Sequence, residues 1–259
     1  MPGRLKRWLQ CWRSGTATTR PQAAQRGGPP VIHDGDVIEM TRTLPAEARL
    51  VNQLIRDLNE PNLLARAPSY FDAAAADERL IHARIVASDH VVGAVSFVPD
   101  PKPGGAVEYE LTGLAIHPGC RGFNLANVLA KAAMVYHLGQ TADEDREHIA
   151  HVLDGNLGPI KALTDVGFQL RENIELPRGA LGGALDHTIL PGEDRIRGST
   201  YGFDSGVLDR LIEDLLGFIE NGGTLQHRDG KTIKVEFNSN FINRQALEYH
   251  RDWLRGTGS

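Results

Sequence analysis

Glu108-Tyr-Glu-Leu-Thr-Gly-Leu-Ala-Ile116, then His117-Pro118-Gly119-Cys120-Arg121-Gly122-Phe123-Asn124-Leu125-Ala126, then an apolar run to Leu138, is the stretch that decides the fold. It reads as a strand, a basic glycine loop and the start of a helix. The first-turn N–H groups of a helix have no acceptor within it, and the positive end of the helix dipole adds to them, so such a loop holds a pyrophosphate without any special side chain. Leu125, Val128, Leu129, Ala132 and Val135 recur on one helical face and belong to the core. Further on, Asn156 precedes the pair Gly167-Phe168.

Working outward, Val37–Met40 reads as a strand, and Pro45 opens a helix whose Ala48, Val51, Leu54, Ile55 and Leu58 share a face. A second helix is expected over Tyr70–Leu80. Ile81–Ala87 and Val91–Val98 read as antiparallel strands around Ser88-Asp89-His90. After the strand at Val107–Ile116 and the helix at Leu125–Leu138 come a strand at His148–Leu153, a helix at Leu157–Val166 and a strand at Phe168–Leu176. Gly182–Gly206, rich in Gly, Asp and Arg, reads as a long connection. Beyond it, Val207, Leu208, Leu211, Ile212, Leu215, Leu216 and Ile219 mark an amphipathic helix, Asp229-Gly230 a hairpin turn, and Phe241–Leu254 a last helix. The fold class expected is α/β (α+β), with a mixed, mostly antiparallel sheet flanked by helices and a C-terminal helix-hairpin-helix. The expected divisions are an arm at 1–33, a domain at 34–190 and an extension at 191–259.

Charge separates the arm from the body. The first 33 residues carry +6 with no Asp or Glu, which leaves −11 for the rest of a chain whose net charge is −5. Leu5, Trp8, Leu9 and Trp12 at helical spacing make one reading of the arm an amphipathic helix that touches an anionic surface. The Ser/Thr/Gln/Gly/Pro-rich stretch Ser14–Pro30 makes the other a disordered tail. The acidic body disfavours nucleic acid. Two cysteines, Cys11 and Cys120, suit neither a disulfide framework nor a zinc site and fit a reducing cytoplasm. His148 and His151, three apart on a strand, face opposite sides, which argues against a shared metal; both read first as structural histidines, the alternative being that one borders the acceptor pocket. Cys120 beside Arg121 invites a nucleophile reading, and His117 a phosphate contact, but both read first as turn residues.

The element order β-α-α-β-β-β-α-β-α-β, the loop Arg121–Ala126 and the spacing of Asn156 from Gly167-Phe168 resemble the GNAT superfamily of acyl-CoA-dependent N-acyltransferases, over residues 35 to 190 and most densely from 106 to 170. The family's loop follows Arg/Gln-x-x-Gly-x-Gly/Ala. Arg121 and Ala126 match it, and Asn124 replaces the central glycine. Asn is the mildest replacement, because it tolerates positive φ and caps helices well. The resemblance implies an acyl-CoA as co-substrate, its phosphates on Arg121, Gly122, Phe123, Asn124, Leu125 and Ala126. It also implies that Leu114, Ala115 and Ile116 present backbone groups to the acyl and pantetheine arms, and that Asn156 contacts the coenzyme arm.

In the family a carboxylate on the fourth strand often serves as base. Glu110 is the candidate here, with Glu108, Thr112, Leu114 and Ile116 on its face by the two-residue period and Tyr109 on the other; the alternative is a solvated strand residue. The family's Ala and Tyr after the Asn are Pro159 and Leu163 in this chain, so the usual general acid is missing, and Thr164, one helical step along, is a poor substitute. The function implied is transfer of an acyl group, in the first instance acetyl, to a primary amine. The acidic body favours cationic acceptors. The alternative is a weak or inactive acyl-CoA-binding module, and a third reading makes the extension the functional part. The extension's open roles are capping the acceptor site, pairing subunits as a homodimer, or holding a protein partner.

Overall fold

The computed structural model describes residues 30–60, 63, 66–141, 146–180, 185–189, 191–239, 241, 242, 244, 245, 247, 248 and 251. The basic arm up to residue 29 and half of the expected last helix, 241–254, lie outside them.

Nine strands form one sheet: β1 (Asp36–Arg42), β2 (Leu80–Ile85), β3 (Val91–Pro101), β4 (Val107–Ile116), β5 (Arg146–Leu153), β6 (Phe168–Pro177), β7 (Arg195–Phe203), β8 (Thr224–Gln226) and β9 (Thr232–Phe237), in the order β6-β7-β5-β4-β3-β2-β1-β9-β8. Pairing is antiparallel except at β4–β5 and β1–β9. The helices with described bounds that cover it are α1 (Ala48–Leu58), α2 (Pro68–Ala76), α3 (Leu125–Gln140), α4 (Leu157–Val166) and α5 (Leu208–Glu220).

Each face has its own core. On one, Ala48, Val51, Leu54 and Ile55 of α1 and Phe71, Ala74 and Ala75 of α2 pack on Leu80, Ala94 and Ala115. On the other, α3, α4 and α5 bury Leu129, Met134, Leu163, Leu211 and Leu215 against Ile81, Val95, Phe97, Leu111 and Ile233. The element ends follow local chemistry. Pro45 starts the turn into α1, Glu47 reaches back to the Leu44 N–H at 3.0 Å, and Asn59 closes α1 at φ 45°. Gly167 closes α4 at φ 110°, where a Cβ would lie 2.3 Å from Val207.

Two expectations are corrected. The second helix spans 68–76, not 70–80: it ends where Glu78 turns to φ 57°, and Leu80, wholly buried under α1 and α2, opens β2. Residues 182–206 are not all connection, because β7 lies between β5 and β6. Its glycines are contact residues: a Cβ on Gly198 would sit 2.7 Å from the Val152 carbonyl, and one on Gly202 would overlap Arg171.

The later residues share this sheet and core. β9 runs parallel to β1, from Asp36 opposite Ile233 to Met40 opposite Phe237. Leu211, Ile212, Leu215 and Leu216 of α5 are buried against α3 and its neighbours. Each such side chain contributes about 1.5–3 kcal/mol, against a typical total of about 5–15 kcal/mol. A chain ended at residue 204 is therefore expected to show no cooperative melting by circular dichroism; melting like that of the full chain would refute this. Among the described residues no helix is long and apolar enough to cross a membrane.

A second consequence concerns acid. His137 stacks on Phe97 at 4.0 Å and meets Tyr109 at 4.5 Å, and His148 stacks on Tyr109 at 5.6 Å. Burial, first of all, pushes His137 down to about 3 and His148 and His151 down to about 4. The unfolded chain titrates such groups near 6.5, so below that pH it takes up protons that the folded chain refuses. Stability is complete above about 6.5 and is lost toward 4, by roughly 2 kcal/mol per group at pH 5. The midpoint of urea unfolding is expected to drop between pH 7.5 and 5, and less steeply in His137→Phe; a flat profile in the native chain would contradict the buried neutral assignment.

Candidate active site

The site begins where two parallel strands part. β4 and β5 pair from Val107 opposite Arg146 to Glu110 opposite Ile149, and there pairing stops while both strands run on. Just beyond the last pair, β4 carries a bulge against β3. Ala94 faces Ala115 and Ser96 faces Thr112, so three steps on β4 oppose two on β3, with Gly113 at φ 65°. The Ser96 hydroxyl donates to the Thr112 carbonyl at 3.4 Å, and the Tyr70 hydroxyl lies 2.6 Å from Ser96 Oγ.

The bulge corrects the expected face assignment. Glu110 and Thr112 point toward α1 and α2, as their parity requires, but the extra residue reverses the alternation. Ala115 now packs with Ala94 on that face, whereas Leu114 and Ile116 join the core under α3. A Cβ on Gly93 would lie 2.9 Å from Ile116 and 3.3 Å from Leu129 of α3, which places Ile116 on the α3 side.

A cavity of about 420 Å³ passes through the gap, a volume within the small-molecule range. Toward α1 and α2 it is lined by Ile55, Arg66, Tyr70 and Glu110, and toward α3 and α4 by Ala126, Asn156 and Leu163. Glu110 is buried, and its carboxyl is pushed up to about 7, chiefly by loss of water. Arg66 and a hydrogen bond from Thr112 oppose that rise, and Glu108 adds to it. Glu108 itself is held by Lys102 at 2.7 Å. Tyr109 faces away, onto His137 and His148.

His151 is the residue that strand spacing undervalued. It lies two positions past Ile149, on the face opposite His148, and borders the cavity. Its Nδ1 sits 3.1 Å from Thr200 Oγ1, and its lowered pKa keeps it neutral at pH 7. Arg66, Tyr70 and Ser96 also escaped the sequence reading. The Arg66 guanidinium stands 5.1 Å from the Tyr70 ring centroid, a cation–π distance, but nothing in their spacing marks them.

The glycine loop has the expected backbone. Asn124 adopts φ 65°, ψ 21° and precedes α3, and Gly122 takes φ 87°. Arg121 donates to the Ile116 carbonyl at 3.3 Å and pairs with Glu60 at 2.5 Å at the cavity's edge. Phe123 and Leu125 are core, so of the loop only Arg121 and Ala126 line the cavity, with Leu114, Ala115, Ile116 and Asn156. His117 is a turn cap, its Nδ1 accepting the Gly119 N–H at 3.1 Å. Cys120 is wholly buried and its thiol is pushed up to about 12, which removes it as a nucleophile. Leu163 is buried on the cavity wall, and Thr164 turns its hydroxyl onto the Ile160 carbonyl at 2.9 Å, away from any donor role. Among the described residues no three His, Cys, Asp or Glu side chains are grouped to hold a metal ion.

Residues 48–168, from the first helix to the start of β6, match the model of the acetyltransferase (GNAT) family. The GNAT acetyltransferase match thus covers 48–168 and no residue beyond. Solved structures similar to it include Arabidopsis thaliana NAA60 in complex with a bisubstrate analogue, 13% identical over 64% of this chain and 97% of that one, TM-score 0.48. Others are a GNAT-family acetyltransferase from Streptococcus pneumoniae (15%; 64% and 98%; 0.48) and ribosomal-protein-alanine N-acetyltransferase from Brucella melitensis (14%; 63% and 97%; 0.47). No curated protein matches the chain.

The pair Arg121–Glu60 sets a test within the matched residues. A carboxylate on the loop's arginine competes with any anion brought to it. Glu60→Gln is expected to tighten coenzyme A binding, by no more than about fivefold because both partners are partly exposed. Calorimetric titration reads this; weaker binding in the variant would mean that Glu60 positions Arg121 rather than competing for it.

Proposed function

We propose that this protein moves an acyl group, in the first instance acetyl, from acyl-CoA directly to a primary amine. One observation carries the reading: a buried carboxyl with a pKa of about 7 lies on the wall of a cavity that crosses the sheet beside the glycine loop. An amine attacks a thioester carbonyl only as the free base. Glu110, half ionised near neutrality, takes the ammonium proton directly or through water. Neutral His151 borders the same side and is the second group placed to pass a proton on. Backbone groups of β4 past the end of its pairing with β5 suit the acyl and pantetheine arms, and Arg121 with the first turn of α3 suits the phosphates. Leu163 has no proton to give, and in this reading the thiolate leaves with help from water or another donor. A small cationic amine or peptide amine is the acceptor class that a −11 body and a carboxylate-lined cavity favour. A reducing cytoplasm is the setting we assign.

The second reading is an acyl-CoA-binding module with little turnover, and Leu163 together with Pro159 on the cavity wall favours it. Thiol release measured across a panel of amines separates the two. For an enzyme, kcat/KM rises with pH through about 7, as the carboxyl ionises. Glu110→Gln then lowers turnover by about 10²–10⁴-fold and leaves coenzyme A binding unchanged. Intact binding with no thiol release from the native chain would leave only the second reading.

A further inference from the structure

The C-terminal hairpin stands against the phosphate loop. β8 and β9 pair from Thr224 opposite Lys234 to Gln226 opposite Thr232, and their turn spans His227 to Lys231. The His227 ring covers Gly122 so closely that a Cβ there would lie 2.5 Å from its Cδ2 and Nε2, and it meets the Phe123 ring at 4.9 Å. A side chain at Gly122 is therefore opposed both by its φ of 87° and by this ring.

This turn is fixed in place. The His227 N–H donates to the Lys231 carbonyl at 2.8 Å and the Gly230 N–H to the His227 carbonyl at 3.0 Å. Asp34 accepts from both the N–H and the hydroxyl of Thr232, at 2.8 and 2.9 Å. Asp229, the turn's one acid, is engaged by His227 Nδ1 at 2.7 Å and by the Lys231 N–H at 3.1 Å. Arg228 is exposed, and the Lys231 ammonium is half exposed and no closer than 3.8 Å to Asp229. In a body that is acidic overall, two cations are therefore held on a rigid turn one ring away from the loop that begins α3. They lie outside residues 48–168, the part matched by the family model.

We propose that Arg228 and Lys231 bind a second phosphate of the coenzyme, the monoester on its ribose 3′ oxygen. The chemistry comes from the ligand's shape: in coenzyme A this phosphate lies one ribose from the pyrophosphate, and the turn that carries Arg228 and Lys231 meets the glycine loop through the His227 ring. A dianionic monoester suits Arg and Lys in charge-assisted hydrogen bonds. The proposal rests on the acyl-CoA reading above.

The test compares coenzyme A with 3′-dephospho-coenzyme A on the full chain by calorimetric titration at fixed salt. The native protein is expected to bind the dephospho form about tenfold more weakly. An Arg228→Glu/Lys231→Glu variant is expected to lose that preference while melting as the native chain does. Equal binding of both forms by the native protein, or a preference kept in the variant, would overturn this proposal alone. If the native protein binds neither form, the acyl-CoA reading falls and this proposal with it. Gly122→Ala, which displaces His227, gives an independent measure: the preference is expected to shrink, and an unchanged preference would show that the hairpin does not set it.

Discussion

The end of the β4–β5 ladder at Glu110 and Ile149 is the constraint on which the site depends. Two parallel strands in a right-twisted sheet stay together only while their backbones bond, and the bulge at Gly113 withdraws β4 from that bonding one step later. The strands then splay, and past that point β4 keeps its pairing with β3 but has none with β5. A cavity passes from the helix pair α1–α2 to the helix pair α3–α4, and the last paired carboxylate is left at its wall with little water. The raised pKa of Glu110 and the opening beside it share a cause, since burial by α1 and α2 supplies the desolvation and the splay supplies the room.

Much of this was legible in the residues, and the failures have physical reasons. The strands and helices up to β6 follow from periodicity, and the left-handed Asn124 follows from the one side chain besides glycine that commonly accepts that conformation. Strand parity failed past residue 112 because a period of two assumes one residue per step. The glycine in β4 was the available signal of a bulge, and it went unused. β7 escaped because its glycines and arginines resemble a loop, yet Gly198 and Gly202 are there to let a neighbouring carbonyl and the Arg171 side chain approach. Arg66, Tyr70 and Ser96 meet Glu110 only after folding, so no local pattern announces them.

Titratable groups in this molecule sort by the company they keep when buried. His137 and His148 sit among aromatic rings in a dry core and stay neutral. Cys120, equally enclosed, keeps its proton. Glu110 is also desolvated, but Arg66 and Thr112 pull back against the rise, and the balance falls near neutrality, where a carboxyl can both take and return a proton. The same burial that silences three groups therefore tunes the fourth, and the difference is made by its polar neighbours at the cavity wall.

The departures from the family's two patterns are of different physical kinds, and this bears on the chemistry left to the chain. Asn124 changes a side chain but keeps a left-handed backbone, φ 65°, and Gly122, two residues before it, is left-handed as well and is covered by His227. Leu163 changes chemistry instead: an aliphatic side chain at that place on α4 can enclose the cavity but cannot deliver a proton. A thiol, however, has a pKa near 8.5, low enough for its anion to leave without a strong acid. The loss at Leu163 therefore falls on the easier half of the proton traffic. In the proposed reaction the harder half, freeing an amine whose ordinary pKa lies near 10, is the one assigned to Glu110.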